Sequence, residues 1–280
     1  MSTLQAFDSS KVSFYEKSVA NGESALLLLQ EQKGVEYLTL HLGKKTFPIE
    51  RFSTEQSVLI PVSYYTKESA LHPKLFYKEH GVEKFEVLTL LVHDGAYEKE
   101  EIHVSSKKVN PQEKKVQKRI AAEYKEAMQL YATLTPHNYI TKPFILPIES
   151  KITSAFGKAR VYNNTLKGYH SGTDFRAKVG SKVLAANDGV VVLVKERFYS
   201  GGTVLLDHGK GVYTCYFHLS AFHVKEGEKV QRGQVIGLSG ESGRITGPHL
   251  HFSARINAVQ VNPLQLINII NKNFFKESVQ

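Results

Sequence analysis

The chain has 280 residues, 41% apolar and 22% charged, and its 36 Lys and Arg against 27 Asp and Glu give a formal net charge of +9. Those shares describe a folded globular chain and exclude a disordered one. The basic residues are dispersed, with no block interleaved with aromatics, which excludes nucleic acid as a partner. The longest apolar runs, such as 25–29, fall far short of the ~20 residues a membrane span needs, and residues 1–5 lack the cationic start and apolar core of a secretory leader. A single cysteine, Cys215, sits in an apolar run and reads as a packing residue without a disulfide partner.

Up to about residue 106 the pattern is of short β-segments, at 12–15, 24–29, 37–42, 57–62, 74–77, 85–92 and 101–104. Asn21-Gly22, Lys33-Gly34, His80-Gly81 and Asp94-Gly95 supply turn chemistry between them. About seven strands at this spacing predict an immunoglobulin-like β-sandwich over residues 1–108. His41, His72, His80, His93 and His103 are scattered through it without ligand spacing and read as surface or packing residues.

Residues 109–140 read as a helical connector. Asn110 is the expected N-cap, Pro111 the first helical residue and Glu113 the capping-box partner. Val116, Ile120, Tyr124, Ala127, Met128 and Tyr131 form one apolar stripe, and Thr135-Pro136 ends the pattern.

From 141 to 280 short strands alternate with Gly-rich turns, predicting an antiparallel sheet closed by a C-terminal helix that starts at Asn262-Pro263. Within it, Gly247-Pro248-His249-Leu250-His251-Phe252 places two histidines on one face of a strand, a spacing that suits a metal ligand with a catalytic neighbour. His170-Ser171-Gly172-Thr173-Asp174 supplies a further imidazole and a carboxylate. Two histidines and an aspartate make a zinc set that leaves one tetrahedral position open. His170 and Asp174 lie about 13 Å apart in a straight strand, so the segment must bend, with Gly172 as the obvious place. His218, at the end of an apolar run, can serve the chemistry without touching the metal. Asp207, His208 and His223 read as strand-end and loop residues.

In order and spacing, these motifs resemble the lysostaphin/LytM-type zinc metallopeptidases of peptidoglycan. The resemblance covers residues 154–263, from Ser154-Ala155-Phe156-Gly157 through Ala185-Ala186-Asn187-Asp188-Gly189-Val190 to Val261-Asn262-Pro263. It implies a LytM-type antiparallel β-sheet catalytic domain and one Zn2+ per chain held by His170, Asp174 and His251, with His218 and His249 as catalytic residues beside the open position. It also implies a peptidoglycan stem-peptide substrate, with Arg160 able to meet a stem carboxylate. The loops at 158–169, 196–202, 219–228 and 239–247 would wall the groove. The N-terminal sandwich and connector look like the Gram-negative architecture. That favours the D-alanyl-diaminopimelate bond as target, D,D-endopeptidase with D,D-carboxypeptidase action as the activity, wall remodelling and cell shape as the role, and the periplasm, after removal of a leader, as the location. The alternative within the family is a catalytically inactive activator of cell-wall amidases. Oligomeric state is left open.

Overall fold

The computed structural model describes residues 6–52, 55–102, 111–162 and 165–275. The chain is mainly β and divides into two compact units, Met1–Gly95 and Ala96–Gln280.

In the first unit two four-stranded antiparallel sheets share a core. One runs in the order Val12–Phe14, Ser24–Leu29, Glu55–Pro61, Glu50–Phe52, the other Val82–Val87, Lys74–Glu79, Val35–Leu42, Lys45–Pro48. Alternation along the strands explains which side chains meet. Leu27, Leu29, Val58 and Ile60 of the first sheet pack in one cluster with Tyr37, Leu40, Phe47, Leu75 and Tyr77 of the second. The run expected as one strand at 85–92 breaks in two. Phe85 belongs to Val82–Val87, whereas Leu90–His93 joins a third sheet, pairing in parallel with Ser18–Ala20.

The run at 101–104, expected to be the last strand of this module, lies elsewhere. The strand Lys99–Ile102 pairs in parallel with Ala159–Tyr162 in the second unit, next to the hairpin partner Thr165–Tyr169. Val104 and Asn110, the expected N-cap, lie outside the described residues. The long helix runs Lys114–Tyr131, so Pro111 and Glu113 precede it, and Glu113 makes no side-chain cap hydrogen bond. Its apolar stripe is only half used. Ala127 and Tyr131 pack with Leu193, Leu205, Tyr213 and Cys215 of the large sheet, while Tyr124 is 65% exposed. Glu123 is buried in its place, accepting from Arg119 Nε at 2.7 Å and from the Phe198 backbone N–H at 2.9 Å.

The large sheet of the second unit is antiparallel, in the order Ile152–Ser154, Thr173–Arg176, His249–Ile256, Val212–Phe222, Gly201–Asp207, Gly189–Arg197, Lys229–Val230. Two chemically rich strands therefore sit side by side, with Asp174 opposite His251. The C-terminal helix Pro263–Phe274 starts as its sequence predicts: Asn262 accepts from the backbone of Leu264 and Gln265, and Pro263 occupies the first turn. Pro263, Leu266, Ile267, Ile269 and Ile270 are its buried residues.

Candidate active site

Three side chains from two adjacent strands and one bend converge on a point. His170 Nε2 lies 3.0 Å from Asp174 Oδ1 and 3.0 Å from His251 Nδ1, and His251 Nδ1 lies 2.7 Å from the same carboxylate oxygen. The chain bends at Gly172, as the spacing of His170 and Asp174 requires. A β-carbon at Gly172 would fall 2.4 Å from the Phe252 carbonyl oxygen and 2.6 Å from the His251 ring, so any other residue would push His251 out of place. All three residues are buried.

The proton inventory of this cluster is short. His170 Nδ1 faces the Ala155 carbonyl at 2.7 Å, so that nitrogen carries the hydrogen and Nε2 presents a lone pair. The His170 lone pair, the acceptor-only carboxylate oxygen and His251 Nδ1 then face one another, so the three polar atoms share at most the one ring hydrogen of His251 unless a cation lies between them. Donors ~2.1 Å from a tetrahedral metal stand ~3.4 Å apart, so a few tenths of an ångström of spreading admits an ion. The donor set fits a metal. Burial works to raise the Asp174 carboxyl, but its contacts with the His170 and His251 rings outweigh it and hold the group well below the usual carboxylate range. Burial is also the main reason His251 is lowered to about 4.

Two further histidines stand beside the cluster. His249 and His251 share a strand face, and His249 Nε2 comes within 3.6 Å of Asp174 Oδ1. The His249 Nδ1–H donates to the Gly247 carbonyl at 2.8 Å, which leaves Nε2 as its basic nitrogen. His218 is arranged likewise, its Nδ1–H donating to the Ser242 carbonyl at 2.8 Å, with its ring centroid 4.8 Å from that of His249. Its backbone is left-handed, φ +63°, where the strand bulges against Gly201–Asp207. A bulge re-aims a side chain, and a non-glycine residue at positive φ is strain retained where the surroundings demand it. Burial first, then the His251 and His249 charges, lower His218 to about 3.

A ring of polar contacts supports the cluster from behind. Arg160 donates through Nη2 to Asp174 Oδ2 and through Nε to Glu100 Oε2, both at 3.2 Å. Ser154 Oγ donates to Glu100 Oε1 at 3.0 Å and can then accept from His170 Nδ1 at 3.2 Å. Glu100 thus braces His170 through one arm and Asp174 through the other. Arg160, a candidate for meeting substrate, is committed to Asp174 and Glu100, and sequence reading gave Glu100 no role. Glu100 reaches Arg160 through the pairing of Lys99–Ile102 with Ala159–Tyr162, which leaves no local signal in the sequence.

His223 is exposed; in the first unit His72, His80 and His93 are exposed and His41 is half-buried beside Thr39; His103 lies outside the described residues. A cavity of about 240 Å³ opens beside His218 and His251. Three of the four expected wall loops line it, through Arg160, Tyr199 and Arg244, while 219–228 contributes no lining residue among those described. The long helix, not expected there, supplies Tyr124, Ala127, Met128 and Tyr131.

Residues 168–263 match the family model described as peptidase family M23, and the three clustered donors fall inside that match. The second unit carries a LytM-type peptidase M23 domain. Through it the chain is 43% identical over 122 residues to peptidoglycan DD-endopeptidase ShyA of Vibrio cholerae, covering 42% of this chain and 28% of that protein. It is 46% identical over 97 residues to DD-carboxypeptidase/endopeptidase Mpg of Neisseria meningitidis, covering 35% of this chain and 22% of that one. The matched segment therefore spans about a quarter of these curated relatives. Structural likeness reaches beyond the M23 domain: a crystal structure described as a peptidase M23 from Pseudomonas aeruginosa superposes with a TM-score of 0.68 at 25% identity, covering 89% of this chain and 94% of that chain.

Proposed function

We propose that the protein is a zinc-dependent D,D-endopeptidase of peptidoglycan that cleaves the D-alanyl-diaminopimelate cross-link, with D,D-carboxypeptidase action on the same kind of bond. The observation that carries this reading is the convergence of three buried lone-pair donors with two more histidines beside them. In this reading His170, Asp174 and His251 hold one Zn2+, and the location is periplasmic, where the polymer lies. The first unit, Met1–Gly95, which is shorter than the expected domain 1–108, positions or gates the catalytic second unit, Ala96–Gln280, in wall remodelling and cell-shape control. The inactive-activator alternative is disfavoured because the complete donor set is present and converges.

A bound zinc ion supplies Lewis acidity, polarising the scissile carbonyl and making water a nucleophile near neutral pH. The chain's own residues do the rest. His249 and His218 each spend Nδ1–H on a backbone carbonyl, so each presents Nε2 as an acceptor for the proton released by the attacking water. Burial keeps the His218 ring neutral at neutral pH, so its Nε2 lone pair is present. Once protonated, either ring becomes a donor toward the tetrahedral oxyanion or the leaving amine nitrogen. Arg160 and Ser154 hold the carboxylate and the first imidazole in register throughout.

The test is digestion of defined cross-linked peptide dimers and pentapeptide monomers by the full chain, with products identified by mass. Cleavage between D-alanine and diaminopimelate that a chelator abolishes and zinc restores is expected. Intact substrates alongside bound zinc would overturn the reading.

A further inference from the structure

We infer that the cavity between the long helix and the large sheet, next to His218 and His251, is a subsite for the free α-carboxylate of the residue on the leaving side of the scissile bond. The inference rests on the peptidase reading above. In a bond between two D-centres the leaving residue carries a carboxylate beside the new amine, whether it is a cross-linking diaminopimelate or a terminal D-alanine. A site for that group would serve both activities.

The lining has the chemistry for an anion. Arg160, Arg197, Arg244 and Arg255 reach it, and among the described residues no Asp or Glu does. Arg160 is balanced by Glu100 and Asp174. Arg197 and Arg255 instead pair with neutral oxygens: Arg197 Nη2 donates to the Glu123 carbonyl at 2.8 Å, and Arg255 donates to the Ala258 carbonyl at 2.8 Å and to Gln260 Oε1 at 2.7 Å. The Nε–H of Arg197 is buried and has no hydrogen-bond partner among the described residues. A guanidinium fork also matches a carboxylate better than an ammonium does. At about 240 Å³ the space is smaller than the ~300–1,000 Å³ of drug-sized sites and suits the end of a peptide.

The walls explain how the sequence builds this site. Tyr131 packs on Tyr213, and the Arg255 guanidinium lies 4.4 Å over the Tyr131 ring, so the helix both closes the cavity and presses one arginine into it. Arg244 is stacked 4.4 Å over Tyr199, on the opposite loop.

The test measures binding without turnover. Acetyl-D-alanyl-D-alanine and its C-terminal amide are titrated calorimetrically into the chelator-treated full chain, and into Arg197→Gln, Arg197→Lys, Arg244→Gln and Arg232→Gln. Arg232 bonds the Pro143 carbonyl outside the cavity and serves as the charge control. The acid should bind on the order of tenfold more tightly than the amide. That ratio should collapse toward one in Arg197→Gln and Arg244→Gln, recover partly in Arg197→Lys, and stay in Arg232→Gln. Should Arg197→Gln fail to fold, Arg244→Gln decides. Equal binding of acid and amide, no binding of either, or a ratio unchanged in the folded cavity variants would overturn the subsite. If the subsite binds acid but dimers are never cleaved, the peptidase reading fails instead; if dimers are cleaved while acid and amide bind alike, only the subsite fails.

Discussion

Two buried histidine clusters in the second unit make opposite use of the same side chain. At His208 every proton has a place. The Ala186 N–H donates to the Tyr216 hydroxyl at 2.8 Å, that hydroxyl to Thr214 Oγ1 at 3.0 Å, and Thr214 to His208 Nε2 at 2.7 Å, while His208 Nδ1–H donates to the Asp188 carbonyl at 2.7 Å. A backbone donor at one end and a backbone acceptor at the other fix the direction of the whole chain. Around His170, Asp174 and His251 the count falls short, because three polar atoms meet with at most one ring hydrogen, that of His251, to share among them. Burial is equal in the two places, with His170 and His208 both fully buried. The proton inventory therefore separates the two: a closed network holds the fold, whereas the open one matches the proposed metal site, whose lone pairs a cation can satisfy.

The largest effect expected from this contrast follows substitution in the open cluster. His170→Ala, Asp174→Ala or His251→Ala should each reduce bound zinc from one per chain to near none and take hydrolysis to background, measured by elemental analysis and dimer cleavage. His208→Asn should keep the metal while lowering the melting temperature. If His208→Asn lost zinc as fully as Asp174→Ala, the distinction would collapse.

Next in size are the two histidines beside the cluster. His218→Ala and His249→Ala should retain zinc while kcat falls on the order of 10²–10⁴, the usual contribution of a positioned acid or base. KM should move less, because the lost contact is made mainly in the transition state. Near-wild-type turnover in His218→Ala would remove it from the chemistry.

A smaller effect tests the brace behind the ligands. Glu100→Gln and Arg160→Ala should weaken zinc affinity by about 10–100-fold, the usual range for partners that orient metal ligands, in competition titrations with a chelator. Unchanged affinity in both variants would mean that the ring of contacts only packs.

A further prediction concerns the closed network and pH. Burial lowers His208 to about 4 from its ordinary 6.5, so the folded state prefers the neutral ring. The unfolded chain then binds the extra proton between those values, and the stabilisation present above pH 6.5 is lost as pH falls toward 4, by up to about 3 kcal/mol. In urea denaturation, the stability difference between wild type and His208→Asn should therefore shrink from pH 7.5 to pH 4.5. A difference that grew on acidification would contradict the neutral, hydrogen-bonded ring.

How much of this was legible in the sequence follows from the range of each interaction. His249 and His251 share a face because strand alternation is local, and Gly172 marks the bend because five residues contain the whole constraint. The aim of His218 was not legible. It depends on a bulge between two strands and a positive φ that no residue at 218 advertises. Glu100 was hidden for a similar reason: its partner Arg160 is 60 residues away, joined by a parallel pairing that no local pattern encodes. In the long helix the stripe named Tyr124 as buried, yet Glu123 is, because the Phe198 N–H and Arg119 supply a polar seat that periodicity does not register.

The most direct test of the central claim is zinc content measured together with dimer cleavage on four full-length proteins, namely wild type, Asp174→Ala, His249→Ala and His208→Asn. One zinc per chain in wild type, His249→Ala and His208→Asn, near none in Asp174→Ala, and cleavage only in wild type and His208→Asn is the predicted result. Full cleavage by rigorously metal-free wild type, or a stoichiometric zinc ion retained in Asp174→Ala, would contradict it.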